Sequence, residues 1–389
     1  MPWQESNVME ERLRFVVMAS RKEKGLRELC VEFGISRPTG YTWLKRYAAG
    51  GSSQVANRSR RPLHSPKRTN PEKEQAIVEL RQQWPDWGAP KLHAVLSREH
   101  PDWSPITVRT VHRILERHGL IHAEDRHPAA SQRFERAEPN ELWQMDFKGP
   151  PGFNKAGGVG PLSVMDDHSR YLPALRQLGS TRTEGVRETL ERTFQECGLP
   201  QAMLMDHGTP WWNGVSSIGI TELTVWLMRQ GIRLLFSGIR HPQTQGKIER
   251  MHGALQKAVR KRGADLLDQT WLDKFRHEYN HIRPHEALAM ATPSSRWKPS
   301  ERQFQDQPRE WDYPSSMRVI RLAGEGQLRW DGRRWDISNA LRRQPVGIQQ
   351  IGHRVIVYFY NTPLRELDLK TGTNYLISNT IQQPHSAHD

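Results

Sequence analysis

The sequence predicts a multidomain chain: N-terminal all-α helix-turn-helix modules, a central α/β domain, and a small β-barrel at the C-terminal end. Three patterns predict this order. Apolar residues recur at helical spacing before residue 122, strands alternate with helices between residues 141 and 297, and closely spaced strand patterns follow residue 317. With 389 residues, the chain is also too long for one ordinary domain.

The charge of the chain favours a polyanionic partner. Lys and Arg number 57 against 43 Asp and Glu, which gives a net charge of +14 at pH 7. Because 36% of the residues are hydrophobic and 14 are Trp, we expect a folded chain rather than a disordered polycation. Cys30 and Cys197 match no disulfide framework or zinc motif. We expect neither secretion nor a membrane span, because the first residues include Glu5, Glu10 and Glu11 and no run of about 18 apolar residues occurs. We therefore expect a cytoplasmic protein that binds nucleic acid and no membrane.

The first predicted domain, residues 1–50, contains three short helices. Gly34 supplies a turn, Ser36 caps the third helix and Pro38 lies in its first turn. This order is typical of a helix-turn-helix, whose recognition helix reads bases through its first residues. The alternative is a generic three-helix unit. The residues predicted to contact DNA here are Arg37, Thr39, Thr42, Lys45 and Arg46.

A basic linker, residues 51–70, follows this domain. Between Lys45 and Asn70 there are seven basic residues and no acidic one, so the segment is predicted to be extended. Arg58, Arg60 and Arg61 are expected to lie along phosphates or to enter a minor groove, unless the linker is simply solvated.

Residues 71–122 are predicted to form three more helices, the third beginning at Ser104 and Pro105. They fit a second, HTH-like DNA-binding module or a spacer bundle. A second linker, residues 123–140, precedes the α/β domain.

Three carboxylates suggest the chemistry of the α/β domain. Asp146 and Asp206 each end an apolar strand, and Glu249 lies in the first turn of a predicted helix, so the fold could bring them together. Clustered carboxylates repel one another unless protons or cations compensate them, and oxygen ligands favour Mg²⁺ or Mn²⁺. Two such ions can activate a water or a 3′-hydroxyl for in-line attack on a phosphodiester. For any single Asp, a turn or a helix cap is the alternative.

Five short motifs surround these carboxylates: Trp143-Gln144-Met145-Asp146, Asp166-x-x-Ser169-Arg170, Asp206-His207-Gly208, Gly246-Lys247-Ile248-Glu249-Arg250 and Tyr279-Asn280-x-x-Arg283-Pro284-His285-x-Ala287-Leu288. Together they resemble the retroviral-integrase-like DDE transposases of bacterial insertion sequences. The resemblance is strong over residues 139–299. The helix-turn-helix, the basic linker and the second helical module also follow the order of that family.

The resemblance implies an RNase H-like (integrase) catalytic core, residues 141–299, in which Asp146, Asp206 and Glu249 bind two divalent ions. Mg²⁺ is expected, and Mn²⁺ is possible. The implied reaction nicks the element ends to free 3′-hydroxyls and joins them to target DNA, which is DNA transposition by integration and recombination. The implied partners are double-stranded DNA, both element ends and target, and further copies of the chain, at least as a dimer on DNA in the bacterial nucleoid.

Two alternatives to this function are weighed. One is a catalytically silent DNA-binding regulator that retains the integrase fold, and the other is an RNase H-type nuclease. The retained carboxylates argue against the first, and the N-terminal helical modules argue against the second.

Two departures from the family pattern concern the segment after the second Asp. His207 stands where the family usually has Asn, and the gap between Asp206 and Glu249 is longer than usual. The extra residues are assigned to a loop, Trp211–Gly219. Its paired Trp residues are expected to pack on the core rather than to stack on a base.

Other polar residues near the carboxylates are given separate roles. Basic residues around Glu249 are predicted to contact phosphates, namely Lys247, Arg250 and His252. Asp166 and Asp167 are interpreted as structural. A zinc site at His277, His281 and His285 is not expected, because Pro284 interrupts that helix and no Cys lies nearby.

The end of the chain is predicted to contain a linker, residues 300–316, then the small β-barrel, residues 317–380, and a polar tail, residues 381–389. Asp331-Gly332 is a hairpin signal within the barrel.

Overall fold

The computed structural model describes residues 8–57, 69–121, 135–149, 159–213, 219–237, 246–308 and 310–377. The chain divides into two compact units, Met1–Asn70 and Pro71–Asp389. In these ranges no helix combines the length and apolar character that a membrane crossing requires.

The first unit contains the three predicted helices: α1 (Val8–Ser20), α2 (Leu26–Glu32) and α3 (Arg37–Gly50), followed by a short 3₁₀ turn. Ser36 caps α3 by accepting a hydrogen bond from the Thr39 amide, as predicted. A small core holds the helices together. Gly40 of α3 allows their close approach, because a Cβ there would lie 2.8 Å from the sulfur of Cys30 on α2.

The second unit begins with another three-helix group: α4 (Pro71–Gln83), α5 (Ala89–Glu99) and α6 (Val108–Arg117). The side chain of Thr107 caps α6, so the expected start at Ser104 and Pro105 is too early. Ser104 instead accepts a hydrogen bond from the ammonium group of Lys73 on α4. The capping residue, Thr107, comes immediately before the first turn of α6. Pro105, a residue typical of a first helical turn, favoured an earlier start in the sequence.

The centre of this unit is a five-stranded mixed sheet with the order β3-β2-β1-β4-β7. Its strands are β1 (Trp143–Phe147), β2 (Leu162–Asp166), β3 (Ala174–Arg176), β4 (Ala202–Met205) and β7 (Arg233–Phe236). β2 is antiparallel to both β1 and β3, whereas β4 is parallel to both β1 and β7. A two-stranded hairpin lies beside it, β5 (Trp212–Asn213) with β6 (Gly219–Ile220).

Helices cover both faces of this sheet. On one face lie α7 (Thr183–Cys197) and α8 (Glu222–Arg229), whose buried residues join those of β1 and β4 in one cluster. On the other face lie α9 (Gly246–Arg262) and α10 (Gln269–His281), which pack on Met165 and Leu175. The predicted central α/β domain is therefore present.

The C-terminal part contains closely spaced strands, as predicted. They are β8 (Arg318–Arg321), β9 (Gln327–Trp330), β10 (Arg333–Asp336), β11 (Pro345–Ile351), β12 (Arg354–Phe359), β13 (Thr362–Asp368) and β14 (Thr373–Leu376). Asp331 and Gly332 both have positive φ and form the predicted hairpin turn between β9 and β10.

The predicted barrel is not confirmed. Five strands form an open antiparallel sheet with the order β14-β13-β12-β11-β8, and β9 with β10 forms a separate hairpin. Within the residues described, no ladder of hydrogen bonds joins the two edges. The hairpin is held against the sheet by packing and by side-chain contacts, such as the Asn374 amide donating to the Asp336 carbonyl.

The C-terminal sheet and the central α/β domain share one hydrophobic cluster. Val346, Val355 and Leu364 belong to the same cluster as Trp143 and Phe194. The segment predicted as a linker, residues 300–316, contributes to this junction. Its Arg302 donates to the carbonyls of Gln230 at 3.1 Å and Gly231 at 2.9 Å.

Candidate active site

Two parallel strands bring Asp146 and Asp206 to the same edge of the central sheet. Gln144 on β1 pairs with Leu204 on β4. Continued for two residues, this register places Asp146 beside Asp206, which follows the last residue of β4. The strands are buried up to this point, and both carboxylates are half-buried where the strands emerge.

Glu249 approaches the same edge from the first turn of α9. Ile248 and Met251 are buried under this turn, which fixes the helix on the sheet. The amide of Ile248 also donates to the side-chain oxygen of Gln144, at 3.4 Å. The Glu249 side chain itself is exposed.

The electrostatics of Asp146 indicate that the three carboxylates interact. The pKa of Asp146 is raised to about 7, first by burial, then by the charge of Asp206 and to a smaller extent by that of Glu249. The Phe147 amide and the Lys148 ammonium act in the opposite direction. In the described ranges, however, no three His, Cys, Asp or Glu side chains stand in a metal-binding arrangement. The three carboxylates therefore converge without forming a chelate.

The loop after Asp206 packs on the core, as expected. Trp211 is 1% exposed, and its ring stacks on Phe147 with centroids 5.5 Å apart. Trp212 is half-buried and meets His207 edge-on, at 4.5 Å between centroids. The rest of the predicted insertion, residues 214–218, lies outside the described residues.

Lys247 is held in the interior by Asp167. Its ammonium nitrogen lies 2.6 Å from the Asp167 carboxylate, which is fully buried. Burial lowers the pKa of Lys247 to about 8, while Asp167 acts to raise it. Asp167 also accepts a hydrogen bond from the side-chain amide of Gln144, at 2.8 Å. The structure thus offers Lys247 as an anchor for the first turn of α9 rather than as the expected phosphate contact.

His252 also differs from the expectation. It is 6% exposed, with Nε2 at 2.9 Å from the Ser163 hydroxyl and Nδ1 at 3.8 Å from Asp146. Burial lowers the pKa of His252 to about 3, and the charge of Lys148 adds to this effect. A neutral, buried imidazole does not attract a phosphate, so the expected contact is not supported. Arg250 is exposed and remains a predicted phosphate contact.

The second acidic pair is structural, as interpreted from the sequence. Asp166 accepts hydrogen bonds from the Ser169 hydroxyl at 2.6 Å and from the amides of Ser169 and Asn140 at 2.8 Å. It pairs with Trp143, at the opposite end of β1 from Asp146. The Asp-x-x-Ser motif therefore closes the turn after β2.

On α3, which the sequence predicts to be the recognition helix, the predicted DNA contacts differ in exposure. Arg37 and Lys45 are exposed, and Arg46 lies over the ring of Trp43 at 4.8 Å. The Thr42 hydroxyl donates to the Pro38 carbonyl at 2.8 Å. The Thr39 hydroxyl lies 2.8 Å from that of Ser36, within the helix cap. Arg58, Arg60 and Arg61 lie outside the described residues.

Two further residues, Tyr41 and Gln144, belong to these candidate sites and were not predicted from the sequence. Tyr41 is an aromatic residue, which favours the core, but it is 58% exposed and lies between Arg37 and Lys45 at helical spacing. Gln144 was noted only as part of a motif. Its position two residues before Asp146, on the same side of β1, is the signal that could have shown its link to the site.

Comparison with known domain families supports the assignment of the core. Residues 136–242 and 230–293 match two models of the integrase core domain. Residues 11–62 match a helix-turn-helix domain, and residues 39–115 match a homeodomain-like domain. These matches confirm the resemblance to integrase-like transposases of insertion sequences.

Among individual proteins, the chain is similar to an uncharacterized 31.7 kDa protein of insertion element IS407 from Burkholderia multivorans. The two are 24% identical over 234 residues, which is 56% of this chain and 78% of that protein. Among solved structures, the chain is similar to a simian T-cell lymphotropic virus intasome in complex with the PP2A regulatory subunit B56 gamma. That match has 15% identity, a TM-score of 0.38 and coverage of 72% of this chain and 91% of that one. The HTLV-2 integrase catalytic core domain in complex with magnesium matches with 14% identity and a TM-score of 0.32, covering 41% and 97%.

The raised pKa of Asp146 predicts a pH-dependent effect of Asp146→Asn on stability. The folded pKa, about 7, exceeds the ordinary value of 3.8, so wild type loses stability as the pH rises through this window. Without metal, we expect the variant to be the more stable protein at pH 8, by about 2–4 kcal/mol at most. Urea denaturation in EDTA between pH 4 and pH 8 measures the difference. If the difference in unfolding free energy between the variant and wild type does not grow with pH, the raised pKa assigned to Asp146 is wrong.

The buried pair of Lys247 and Asp167 predicts a second stability effect. Asp167→Asn leaves the Lys247 ammonium buried without its anion, so the free energy of unfolding at pH 7 should fall by about 3–5 kcal/mol. The loss should shrink as the pH rises, because the unpaired lysine gives up its proton. Urea denaturation checks this, with the exposed Asp102→Asn as the matched control. Equal effects of the two substitutions would mean that the ion pair contributes nothing.

Proposed function

We propose that the protein is a DDE transposase, a metal-dependent polynucleotidyl transferase that cleaves DNA at insertion-sequence ends and joins the freed 3′-hydroxyls to target DNA. The observation that carries this proposal is the convergence of Asp146, Asp206 and Glu249 at one edge of the integrase core. Burial and, after it, the charges of Asp206 and Glu249 raise the pKa of Asp146, and bound cations would relieve both effects.

The chemistry of the donor set fits divalent cations. All three groups are carboxylates, and hard ions such as Mg²⁺ prefer oxygen ligands, with Mn²⁺ as a substitute. Two bound ions would supply an activated oxygen nucleophile and charge stabilisation for an in-line displacement at phosphorus. Asp146, Asp206 and Glu249 would hold them, Asp146 only after it has lost its proton.

The protein groups around the carboxylates have positioning roles in this proposal. Gln144 connects β1 to the first turn of α9, because its side chain accepts from the Ile248 amide and donates to Asp167. Lys247, paired with Asp167, fastens the same turn two residues before Glu249. These contacts hold the backbone of Glu249 in place relative to Asp146 on β1. On cation binding, the exposed Glu249 side chain would therefore lose only its own rotamer freedom.

The DNA that the site acts on would be selected by the first unit. We place the recognition helix α3 in a major groove, with Arg37 and Tyr41 toward base edges and Lys45 toward phosphates, since all three are exposed along one side of the helix. The basic linker with Arg58, Arg60 and Arg61 would contribute phosphate or minor-groove contacts. Joining two element ends requires two such chains, so a DNA-bound homo-oligomer, at least a dimer, follows from the proposed reaction.

The proposed chemistry predicts that Asp146→Asn, Asp206→Asn and Glu249→Gln each abolish cleavage and joining. Each substitution removes a cation-binding charge with little change in size. The assay uses the full chain with Mg²⁺ and DNA carrying the flanking element ends, and the products are resolved on denaturing gels. Mn²⁺ should replace Mg²⁺, whereas Ca²⁺ should support little reaction because it prefers longer bonds and looser coordination.

A matched control for the charge change is Glu188→Gln, since Glu188 is exposed on α7. This variant should react as wild type does. Strand transfer by any one of the three site variants, or activity in excess EDTA, would refute the assignment. Wild type that binds the ends but does not cleave them under any metal would instead favour the catalytically silent regulator.

A second prediction separates base reading from phosphate contact on α3. Arg37→Ala and Tyr41→Ala should each cost about 1–3 kcal/mol in the free energy of binding to the element end. They should also reduce the difference in affinity between the element end and random DNA. Lys45→Ala should weaken binding to the element end and to random DNA equally. It should also reduce the slope of log K against log salt concentration by about one unit. Thr42→Val is the control, because its hydroxyl already donates to the Pro38 carbonyl. Fluorescence anisotropy titrations across salt measure these effects. If Thr42→Val loses more affinity for the element end, relative to random DNA, than Arg37→Ala does, the proposed base-reading role of Arg37 is wrong.

A further inference from the structure

The carboxylate of Asp206 is held on one side by two N–H donors from its own loop. Its Oδ1 accepts a hydrogen bond from the indole Nε1 of Trp211 at 2.7 Å and another from the amide of Gly208 at 2.9 Å. In the described part of the chain, Oδ2 receives no such bond. The two oxygens of this carboxylate therefore stand in different surroundings.

The Trp211 ring is itself fixed. It is 1% exposed, and it lies nearly parallel to the ring of Phe147, with 10° between the planes. Phe147 is the residue after Asp146 on β1. The ring of Trp211 thus contacts the strand that carries Asp146, while its N–H contacts Asp206.

Gly208 completes this arrangement because it has no side chain. A Cβ at this position would lie 2.9 Å from Oδ1 and 3.1 Å from Oδ2 of Asp206. The Trp212 amide donates to the Gly208 carbonyl at 3.0 Å, which closes the loop between the two donors. The loop is therefore shaped closely around one carboxylate.

We propose that Trp211 is a positioning residue for Asp206: its indole N–H holds Oδ1, so that Oδ2 is presented to a divalent cation. This inference rests on the proposed function. A carboxylate on a strand end can rotate about its Cβ–Cγ bond, and a charge-assisted hydrogen bond from a packed ring restricts that rotation. The role is specific to tryptophan among the aromatic residues, since Phe has the ring without the donor and Tyr has its donor at a different place.

The test is the binding of Mn²⁺ to the metal-free full chain, measured by isothermal titration calorimetry. Trp211→Phe retains a ring to stack on Phe147 but removes the N–H. We expect its apparent Kd for Mn²⁺ to rise about 10–100-fold, the usual effect of losing a group that orients a metal ligand. Asp206→Asn should weaken binding at least as much.

The matched control is Trp143→Phe. Trp143 is also fully buried in the central domain, and its indole N–H donates to the side-chain oxygen of Asn140 at 3.1 Å. The two substitutions remove the same atoms and a similar buried hydrogen bond. Both should lower the thermal stability, but Trp143→Phe should change the Mn²⁺ affinity less than twofold.

If Trp211→Phe binds Mn²⁺ as tightly as wild type while Asp206→Asn does not, the positioning role is wrong and the proposed site survives. If Asp206→Asn binds as tightly as wild type, the proposed metal site fails, and the inference fails with it. Should Trp211→Phe not fold, benzothienylalanine at position 211 replaces the indole N–H with sulfur in a ring of nearly the same shape. Wild-type affinity in that protein would equally overturn the proposal.

Discussion

The parallel pairing of β1 with β4 is the contact on which the arrangement of the candidate site depends. Because the two strands run in the same direction and in register, Asp146 and Asp206 leave the sheet at one edge, although they are far apart in sequence. The residues of both strands are buried without alternation, because helices cover the two faces of the sheet, and this burial holds the strands at its centre. Rigid strands therefore hold together two like charges that would otherwise separate. Burial raises the pKa of Asp146 most, and the nearby charge of Asp206 raises it further.

The sheet contains a second group of acidic residues, Asp166 and Asp167, whose surroundings differ from those of Asp146. Asp167 is fully buried but faces the ammonium of Lys247, and Asp166 accepts three hydrogen bonds from Ser169 and Asn140. Asp146 is partly buried with two carboxylates and a neutral imidazole nearby, and the Phe147 amide and Lys148 favour its charge less than burial and Asp206 oppose it. The charge of a buried carboxylate such as Asp167 is compensated within the chain, whereas carboxylates gathered together are compensated by bound protons or cations.

Sequence patterns predicted the order of elements well, because strand and helix periodicity are local properties. The strand that carries Asp146, the strand before Asp206, the cap at Ser36 and the Asp331-Gly332 hairpin all depend on residues within a few positions of one another. Partners distant in sequence could not be predicted in this way. The pairing of Lys247 with Asp167, and the burial of His252 against Ser163, depend on how α9 crosses the sheet, so two exposed-looking polar residues of a helix turn proved to be interior. Closure of the C-terminal strands is likewise decided by edge contacts that no strand pattern encodes.

The small apolar cavity of about 30 Å³ beside the Asp206 loop is lined by His207, Trp212 and Phe236 on one side and by Thr362, Leu364 and Leu376 of the C-terminal sheet on the other. The C-terminal sheet thus covers a loop that lies much earlier in the chain. While β13 and β14 are still inside the ribosome, Trp212 and Phe236 lack this cover, and the loop that carries Asp206 has not reached its final packing. The nascent chain can therefore fold its N-terminal helical unit well before its candidate active site is complete. A polypeptide that stopped before β13 would contain all three carboxylates and still lack the cover over Trp212 and Phe236.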